Sequence, residues 1–250
     1  MSYFIVFAGK GGTGKSTLAA LTVKYLINKN LKPVLVVDAD PNFCLPELLS
    51  VKVKETLASI RDNALNNKPE NMSLDEWLEL QINRVIEESQ GFDLIVMGRP
   101  EGSGCYCAVN NVLKRVLKDI SEQYRYIVVD NEAGMEHISR GILSKVDLLF
   151  IVSTPAKSSI QAAYRINELT KEVGINPKKK VLVINMAFKE IINFEKQKLL
   201  EKFDKVHHVF FDKEFMNLSE TGRSVFSISE EEIIWKNFKS ILEEEVERKV

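Results

Sequence analysis

A glycine-rich string near the amino terminus has the residue types and the spacing of a phosphate-binding loop. Gly9 begins a G-x-x-x-x-G-K-[ST] pattern that ends with Gly14, Lys15 and Ser16, and this is the Walker A pattern. Glycines let backbone N–H groups approach phosphate oxygens closely, and the helix that follows adds a positive N-terminal dipole. Lys15 is therefore predicted to contact the β- and γ-phosphates, and the Ser16 hydroxyl to bind Mg²⁺. The predicted nucleotide-binding residues of this string are Gly11, Gly12, Thr13, Gly14, Lys15, Ser16 and Thr17.

Carboxylates follow two apolar runs that have the composition of buried strands. Asp38 and Asp40 come after one run, and Asp130 ends the run Ile-Val-Val-Asp. Ligands of open α/β sheets bind at the carboxyl ends of the strands, so two acids beside a phosphate loop indicate a site that holds water or metal. Asp130 has the Walker B form, a carboxylate that binds Mg²⁺ through water. Structural capping remains an alternative for Asp38 and Asp40, and the roles of Glu132 and His137 are open.

The chain has three cysteines, Cys44, Cys105 and Cys107. An odd and small number argues against a disulfide framework and favours a reducing compartment, the cytoplasm. Cys105 and Cys107 form a C-x-C pair just before a predicted helix, where a thiol pKa is lowered and the thiolate is available. One pair cannot complete a tetrahedral metal site, but a two-fold axis would supply four thiolates. The pair could instead be two small, half-buried residues, and this is the favoured interpretation of Cys44.

Short apolar runs rich in Val, Ile and Phe, with little polar alternation, predict strands that are buried on both faces. The predicted strands are residues 3–8, 33–38, 93–97, 126–130, 148–153, 180–185 and 206–210. The predicted helices are residues 15–28, 74–89, 111–123, 158–173, 190–203 and 230–248. This alternation favours an α/β fold with a doubly wound, mostly parallel sheet of about seven or eight strands flanked by helices. We expect a single domain over residues 1–250, with the polar stretch 63–73 as a mobile insertion.

Composition excludes several classes of partner. The net charge is −1, so no broad field draws the chain to nucleic acid or to anionic lipid. The start of the chain lacks the basic and apolar regions of a signal peptide, and no apolar stretch approaches the roughly 18 residues of a membrane span. We therefore expect neither nucleic acid nor membrane as a partner.

The string from Lys10 to Ser16 resembles the deviant Walker A motif of the SIMIBI class, which includes the MinD and ParA ATPases and the nitrogenase iron protein. The resemblance implies a homodimer in which Lys10 crosses to the phosphates bound by the partner, as a cation supplied in trans. An exposed loop lysine is the alternative. The resemblance also implies that Asp40 positions the attacking water and that Asp38 supports Mg²⁺ or the switch.

The same resemblance places the adenine near Asn185 and near the segment that contains Phe211 and Asp212. Asn185 is the right residue type to contact a purine edge. The GTPase pattern N-K-x-D is absent because Met186 follows Asn185, so ATP and ADP are favoured over guanine nucleotides.

Two further strings are similar to those of the CooC-type ATPases, which assist nickel insertion into carbon monoxide dehydrogenase and have close relatives that serve acetyl-CoA synthase. One string runs from Met97 to Cys107 and the other from Val129 to His137. The resemblance implies a homodimer that binds Ni²⁺, with Zn²⁺ also suitable, through Cys105 and Cys107 of both subunits. It further implies that one of these two nickel enzymes is the client. The serine at Ser103 departs from the usual proline.

The competing function is a positioning or partition ATPase of the MinD and ParA kind, without a metal role. Membrane-bound members need a basic amphipathic C-terminal helix, whereas this C-terminus is acidic. An iron–sulfur reductase is disfavoured because the segment from Asp130 to His137 contains no cysteine.

Overall fold

The computed structural model describes residues 2–67, 69–99, 106–132, 145–190, 193–213 and 221–246. Eight strands formed by these residues make one sheet in the order β3-β4-β2-β5-β1-β6-β7-β8. Every neighbouring pair is parallel except β3 with β4. The strands are β1 (Tyr3–Gly9), β2 (Val34–Ala39), β3 (Ile86–Glu88), β4 (Asp93–Val96), β5 (Tyr126–Asn131), β6 (Leu148–Ser153), β7 (Lys179–Ala187) and β8 (Lys205–Phe210).

Helices cover both faces of the sheet, as the doubly wound prediction requires. Along β1, Ile5 and Phe7 pack into one core, and Val6 and Ala8 pack into the other, because successive side chains of a strand point to opposite faces. The described helices are α1 (Lys15–Asn28), α2 (Leu45–Leu48), α3 (Leu57–Asn67), α4 (Leu74–Val85), α5 (Tyr106–Ile120), α6 (Lys157–Glu172), α7 (Asn193–Leu200) and α8 (Ile233–Glu245), with short 3₁₀ turns at Ser121–Gln123 and Val225–Ser227.

All seven predicted strands are present within two residues of their predicted ends, and the predicted fold class is confirmed. One strand is missing from the prediction. The helix predicted over residues 74–89 ends at Val85, and the next residues form β3, which pairs antiparallel with β4 through Ile86 and Ile95. Pairing with the edge of the sheet replaced the helical hydrogen bonds there, and a sequence pattern does not reveal such a tertiary partner.

Other helix boundaries also differ from the predicted ones. The helix α5 begins at Tyr106 rather than at 111, α7 ends at Leu200, and α8 ends at Glu245. The stretch predicted as an insertion, residues 63–73, instead contains the end of α3, which buries Ala64. Ser73 begins α4 with a capping box. Among the helices formed by the described residues, none combines the length and apolar character that a bilayer crossing requires.

Asp147, just before β6, is a buried carboxylate whose partners hold two parts of the sheet together. It accepts the Phe4 N–H at 2.9 Å and pairs with Lys178 at 2.8 Å and with Lys145 at 3.5 Å. Burial by itself would raise the pKa of this carboxyl, but Lys178, the Phe4 amide and Lys145 together hold that pKa below its ordinary value.

We expect Asp147→Asn to lower the free energy of unfolding by about 2 kcal/mol at pH 7, because the amide keeps one acceptor but loses both ion pairs. A group with a lowered folded-state pKa stabilises the protein above its unfolded pKa and loses that contribution as pH falls through the folded one. Urea unfolding should therefore show the two proteins converging as the pH falls below about 3.9, the ordinary pKa of an aspartate. Asp204→Asn is the control, since exposed Asp204 accepts only the Lys180 N–H among the bonds described for it. An equal loss in both variants would contradict the assignment.

Candidate active site

The phosphate loop leaves the middle of the sheet, between the end of β1 at Gly9 and the start of α1 at Lys15. Two of its residues, Gly12 with φ +76° and Gly14 with φ +90°, adopt left-handed backbone conformations. Residues with a Cβ avoid this region, so glycine is needed at both positions. Gly14 is also the N-cap of α1, which places the positive end of that helix at the loop, where anions bind.

Three hydrogen bonds hold the loop in shape. The Thr13 hydroxyl donates to the Lys10 carbonyl at 2.9 Å, and the Lys15 ammonium donates to the same carbonyl at 3.4 Å. From β7, the Asn185 amide donates to the Thr13 carbonyl at 2.9 Å. The Lys15 side chain is thus buried within the loop, whereas Lys10 is exposed. Exposure suits a lysine that reaches another subunit, and its role in trans stays a prediction.

Asp130 lies at the end of β5, next to the strand that precedes the phosphate loop. It is aligned with Phe7 on β1 and with Asp38 on β2. The residue is fully buried, and neither carboxylate oxygen accepts a hydrogen bond of standard geometry from the described residues. Burial raises the pKa of this carboxyl to about 7, against the opposing effects of the Ser16 hydroxyl and the Lys15 ammonium.

This environment fits Mg²⁺. A buried carboxylate without hydrogen bonds is unfavourable unless a cation compensates it, and Mg²⁺ is usually bound by one or two protein oxygens together with phosphate oxygens and water. The Ser16 hydroxyl is close enough to Asp130 to lower the pKa of its carboxyl, so the two predicted magnesium-binding residues lie near each other.

Asp38 caps the segment that follows β2. Its Oδ1 accepts the Asp40 N–H at 3.1 Å, and its Oδ2 accepts the Leu45 N–H at 3.0 Å. Burial, and then the nearby charge of Asp130, raise the pKa of this carboxyl well above its ordinary value. The capping interpretation is confirmed, and support of Mg²⁺ or of a switch by Asp38 stays a prediction.

A cleft of about 490 Å³ extends from the phosphate loop. Its walls are formed by the loop with the start of α1, the segment after β2, Glu132, and the pair Gly222 and Arg223. Asp40 faces this cleft and accepts the Asn42 N–H at 2.9 Å. The structure therefore brings Asp40 to the same cleft as Lys15 and Ser16. The bond to Asn42 is the contact that the capping alternative expects, and water positioning by Asp40 stays a prediction.

The three residues predicted to bind the base lie outside the walls of this cleft. Asn185 is completely buried beneath the loop, and its Oδ1 has no hydrogen-bond partner among the described residues. Phe211 stacks on the exposed Phe188, with ring centroids 5.2 Å apart. Asp212 accepts the Ile234 N–H at 3.2 Å, at the start of α8. The contact described for Asn185 is with the loop, and base binding by these three residues stays a prediction.

The predicted metal-binding cysteines are at the limit of what the structure describes. Cys107 lies in the first turn of α5, which begins at Tyr106; its side chain, Cys105 and His137 lie outside the described residues. Cys44 is an exposed thiol in the wall of the cleft. Partial burial, and to a smaller extent nearby carboxylates such as Asp38, raise the pKa of the Cys44 thiol. Cys44 therefore lacks the features of an activated nucleophile.

Sequence patterns missed Gly222 and Arg223, which reach the cleft from near the carboxyl end of the chain. They belong to no phosphate-binding pattern, and a glycine next to an arginine in a polar stretch is a weak signal. Only the fold shows that this segment meets a loop that lies more than two hundred residues earlier in the sequence.

Comparison with known proteins agrees with this geometry. A family model described as an AAA domain matches residues 1–184. An uncharacterized ATP-binding protein of Methanocaldococcus jannaschii is 34% identical over 254 residues, which cover 98% of this chain and 99% of that protein. The carbon monoxide dehydrogenase accessory protein CooC of Rhodospirillum rubrum is 27% identical over 90% of each chain. The fold is similar to that of the septum site-determining protein MinD of Pyrococcus horikoshii complexed with Mg-ADP, with a TM-score of 0.70, 19% identity, and coverage of 98% of this chain and 96% of that one.

Proposed function

We propose that this member of the AAA domain family, an ATPase with the fold of the MinD and ParA proteins, is a metallochaperone. It hydrolyses ATP to control a homodimer, and the dimer delivers nickel to carbon monoxide dehydrogenase or acetyl-CoA synthase. The cargo site consists of Cys105 and Cys107 from both subunits and binds Ni²⁺, or Zn²⁺ in its place.

The observation that supports this proposal best is the C-x-C pair of the sequence, of which Cys107 belongs to the first turn of α5, in a chain similar to CooC over 90% of its length. The helix α5 follows β4, which runs parallel to β2 and whose last residue, Val96, is aligned with Asp38. The pair therefore follows a strand that ends at the same edge of the sheet as the phosphate loop. Thiolates are good ligands for Ni²⁺, Zn²⁺ and Cu⁺, so the choice of nickel rests on the similarity to CooC.

ATP hydrolysis is the reaction of the cleft. Lys15 and the loop amides bind the phosphates, and Asp40 orients the attacking water. Ser16 and Asp130 would hold Mg²⁺, which neutralises phosphate charge when it is bound. Lys10 adds a cation across the dimer, so the site is complete only in the closed state. ATP and cargo metal then influence each other's affinity, because each binds the closed dimer more tightly than the open one.

The cargo site is tested by Cys105→Ala combined with Cys107→Ala. We expect the wild-type protein to bind about one Ni²⁺ or Zn²⁺ per dimer, as four thiolates around one tetrahedral metal require, and the double variant to bind none. Equilibrium dialysis with elemental analysis measures the stoichiometry.

Two controls accompany this experiment. Cys44→Ala should keep full metal binding, because Cys44 lies in the wall of the nucleotide cleft. The double variant should still bind ATP, which shows that the fold is intact. Stoichiometric metal binding by the double variant would refute the cargo site, and the ATPase assignment would stand without it.

A further inference from the structure

Arg223 brings a second positively charged side chain to the cleft besides Lys15 of the phosphate loop. Its side chain is exposed, and no ion pair joins it to another residue of the described part of the chain. The other charged residues that line the cleft are the acids Asp40, Glu47 and Glu132. Arg223 therefore brings a guanidinium with five donors to the border of the cleft that extends from the phosphate loop.

Contacts with α2 fix the backbone beside Arg223. The Ser224 hydroxyl donates to the Leu48 carbonyl at 3.1 Å. Gly222 has φ +62°, and a Cβ at this position would lie 2.9 Å from Glu47 Oε1. The backbone conformation favours glycine at this position, and the exposed side chain of Glu47 on α2 lies next to it.

A buried lysine fixes the same segment to α1, the helix that begins at the phosphate loop. Lys24 is 4% exposed, and its ammonium donates to the Val225 carbonyl at 3.1 Å and to the Ile228 carbonyl. The ammonium also lies 4.5 Å from the centre of the Trp235 ring, a favourable cation–π distance. The backbone that follows Arg223 is therefore attached to both α1 and α2, which holds Arg223 beside the cleft before nucleotide binds.

We propose that Arg223 binds phosphate oxygens of ATP in its own subunit. Guanidinium and phosphate match in charge and in planar, two-pronged hydrogen-bond geometry. Arg223 then supplies positive charge in cis, whereas Lys10 is proposed to supply it from the partner. Lys24 acts as the positioning residue that holds the Arg223 segment on α1. The inference rests on ATP binding by this cleft and is independent of the cargo metal.

Arg223→Gln tests the contact, and Arg84→Gln is the matched control because exposed Arg84 pairs with Glu55 rather than lining the cleft. Loss of a charge-assisted hydrogen bond should raise the Kd and the KM for ATP by about 10- to 100-fold, as measured by calorimetry and by phosphate release. Arg223→Lys should recover part of the affinity, because it keeps the charge but loses the two-pronged geometry. The control should remain within about two-fold of wild type.

Lys24→Met tests the positioning role. It should raise the Kd for ATP in the wild-type background and add little in the Arg223→Gln background, because coupled residues give non-additive effects.

Wild-type values of Kd, KM and kcat in Arg223→Gln would overturn the proposal. Binding of Ni²⁺ by Cys105 and Cys107, measured without nucleotide, should be unchanged in Arg223→Gln, so failure of this proposal and failure of the cargo proposal are separate results.

Discussion

Alanine in place of Gly14 should weaken ATP binding on the order of 100-fold, the loss that a displacement of about 1 Å produces in an active site. Two effects combine. A side chain at φ +90° costs about 1–2 kcal/mol, and the new Cβ would lie 2.3 Å from the Asn185 amide nitrogen. Asn185 must then move and release the Thr13 carbonyl that it holds, so the loop loses its shape. Calorimetric titration with ATP measures the loss.

Gly174→Ala separates backbone strain from the collision. Gly174 has φ +73°, and an added Cβ would meet nothing within 4 Å. This variant should lose about 1–2 kcal/mol of stability and keep its affinity for ATP. Asn185→Ala in the Gly14→Ala background removes the collision, and the two changes together should cost less affinity than their sum. Additive losses, or wild-type affinity in Gly14→Ala, would contradict the mechanism.

Features written in contiguous residues could be predicted from the sequence. The phosphate loop needs its glycines and Lys15 within a few residues of one another, and both ends of α1 were predicted correctly. The strands of a parallel sheet are buried on both faces and therefore appear as uninterrupted apolar runs. Asp130 could be predicted for the same reason, since a single acid at the end of such a run marks the carboxyl edge of the sheet.

Features that depend on contacts between distant segments could not be predicted. The hydrogen bond from Asn185 to Thr13 joins residues far apart in the sequence, and nothing local distinguishes that contact from one with a purine. The approach of Arg223 to the cleft depends on Lys24 and on α2. Asp38 allowed two interpretations because an acid after a strand can cap the backbone or bind metal, and the two backbone N–H groups that it caps are identified only in the folded segment.

Asp130→Asn should have opposite effects on activity and on stability. The variant lacks the carboxylate that Mg²⁺ requires. ATP hydrolysis should therefore fall about 100-fold, the upper end of the loss seen when a group that orients a metal site is removed. The apoprotein, however, should become more stable at pH 8. Burial raises the pKa of Asp130 from 3.8 to about 7, which corresponds to roughly 4 kcal/mol of unfavourable charge burial. The buried amide of the variant would have no hydrogen-bond partner, which costs about 1–3 kcal/mol and reduces the net gain in stability.

The pH dependence follows from the sign of the shift. A carboxyl with a raised folded-state pKa stabilises the fold while it is protonated and loses that contribution as pH rises through the folded pKa. Urea unfolding in EDTA should therefore show the advantage of Asp130→Asn at pH 8 and a much smaller one at pH 5.

Asp38→Asn is the matched control on the neighbouring strand. Asp38 uses its two oxygens to accept two backbone N–H groups, and an amide offers only one acceptor to these donors. Burial raises the pKa of Asp38 as well, but this variant leaves one backbone N–H without its acceptor. Its gain in stability at pH 8 should therefore be smaller than that of Asp130→Asn, although both replace a fully buried acid of the same sheet. A loss of stability in Asp130→Asn at pH 8 would mean that its carboxylate has stabilising partners in the free protein, and it would remove the argument that this buried charge is kept for Mg²⁺.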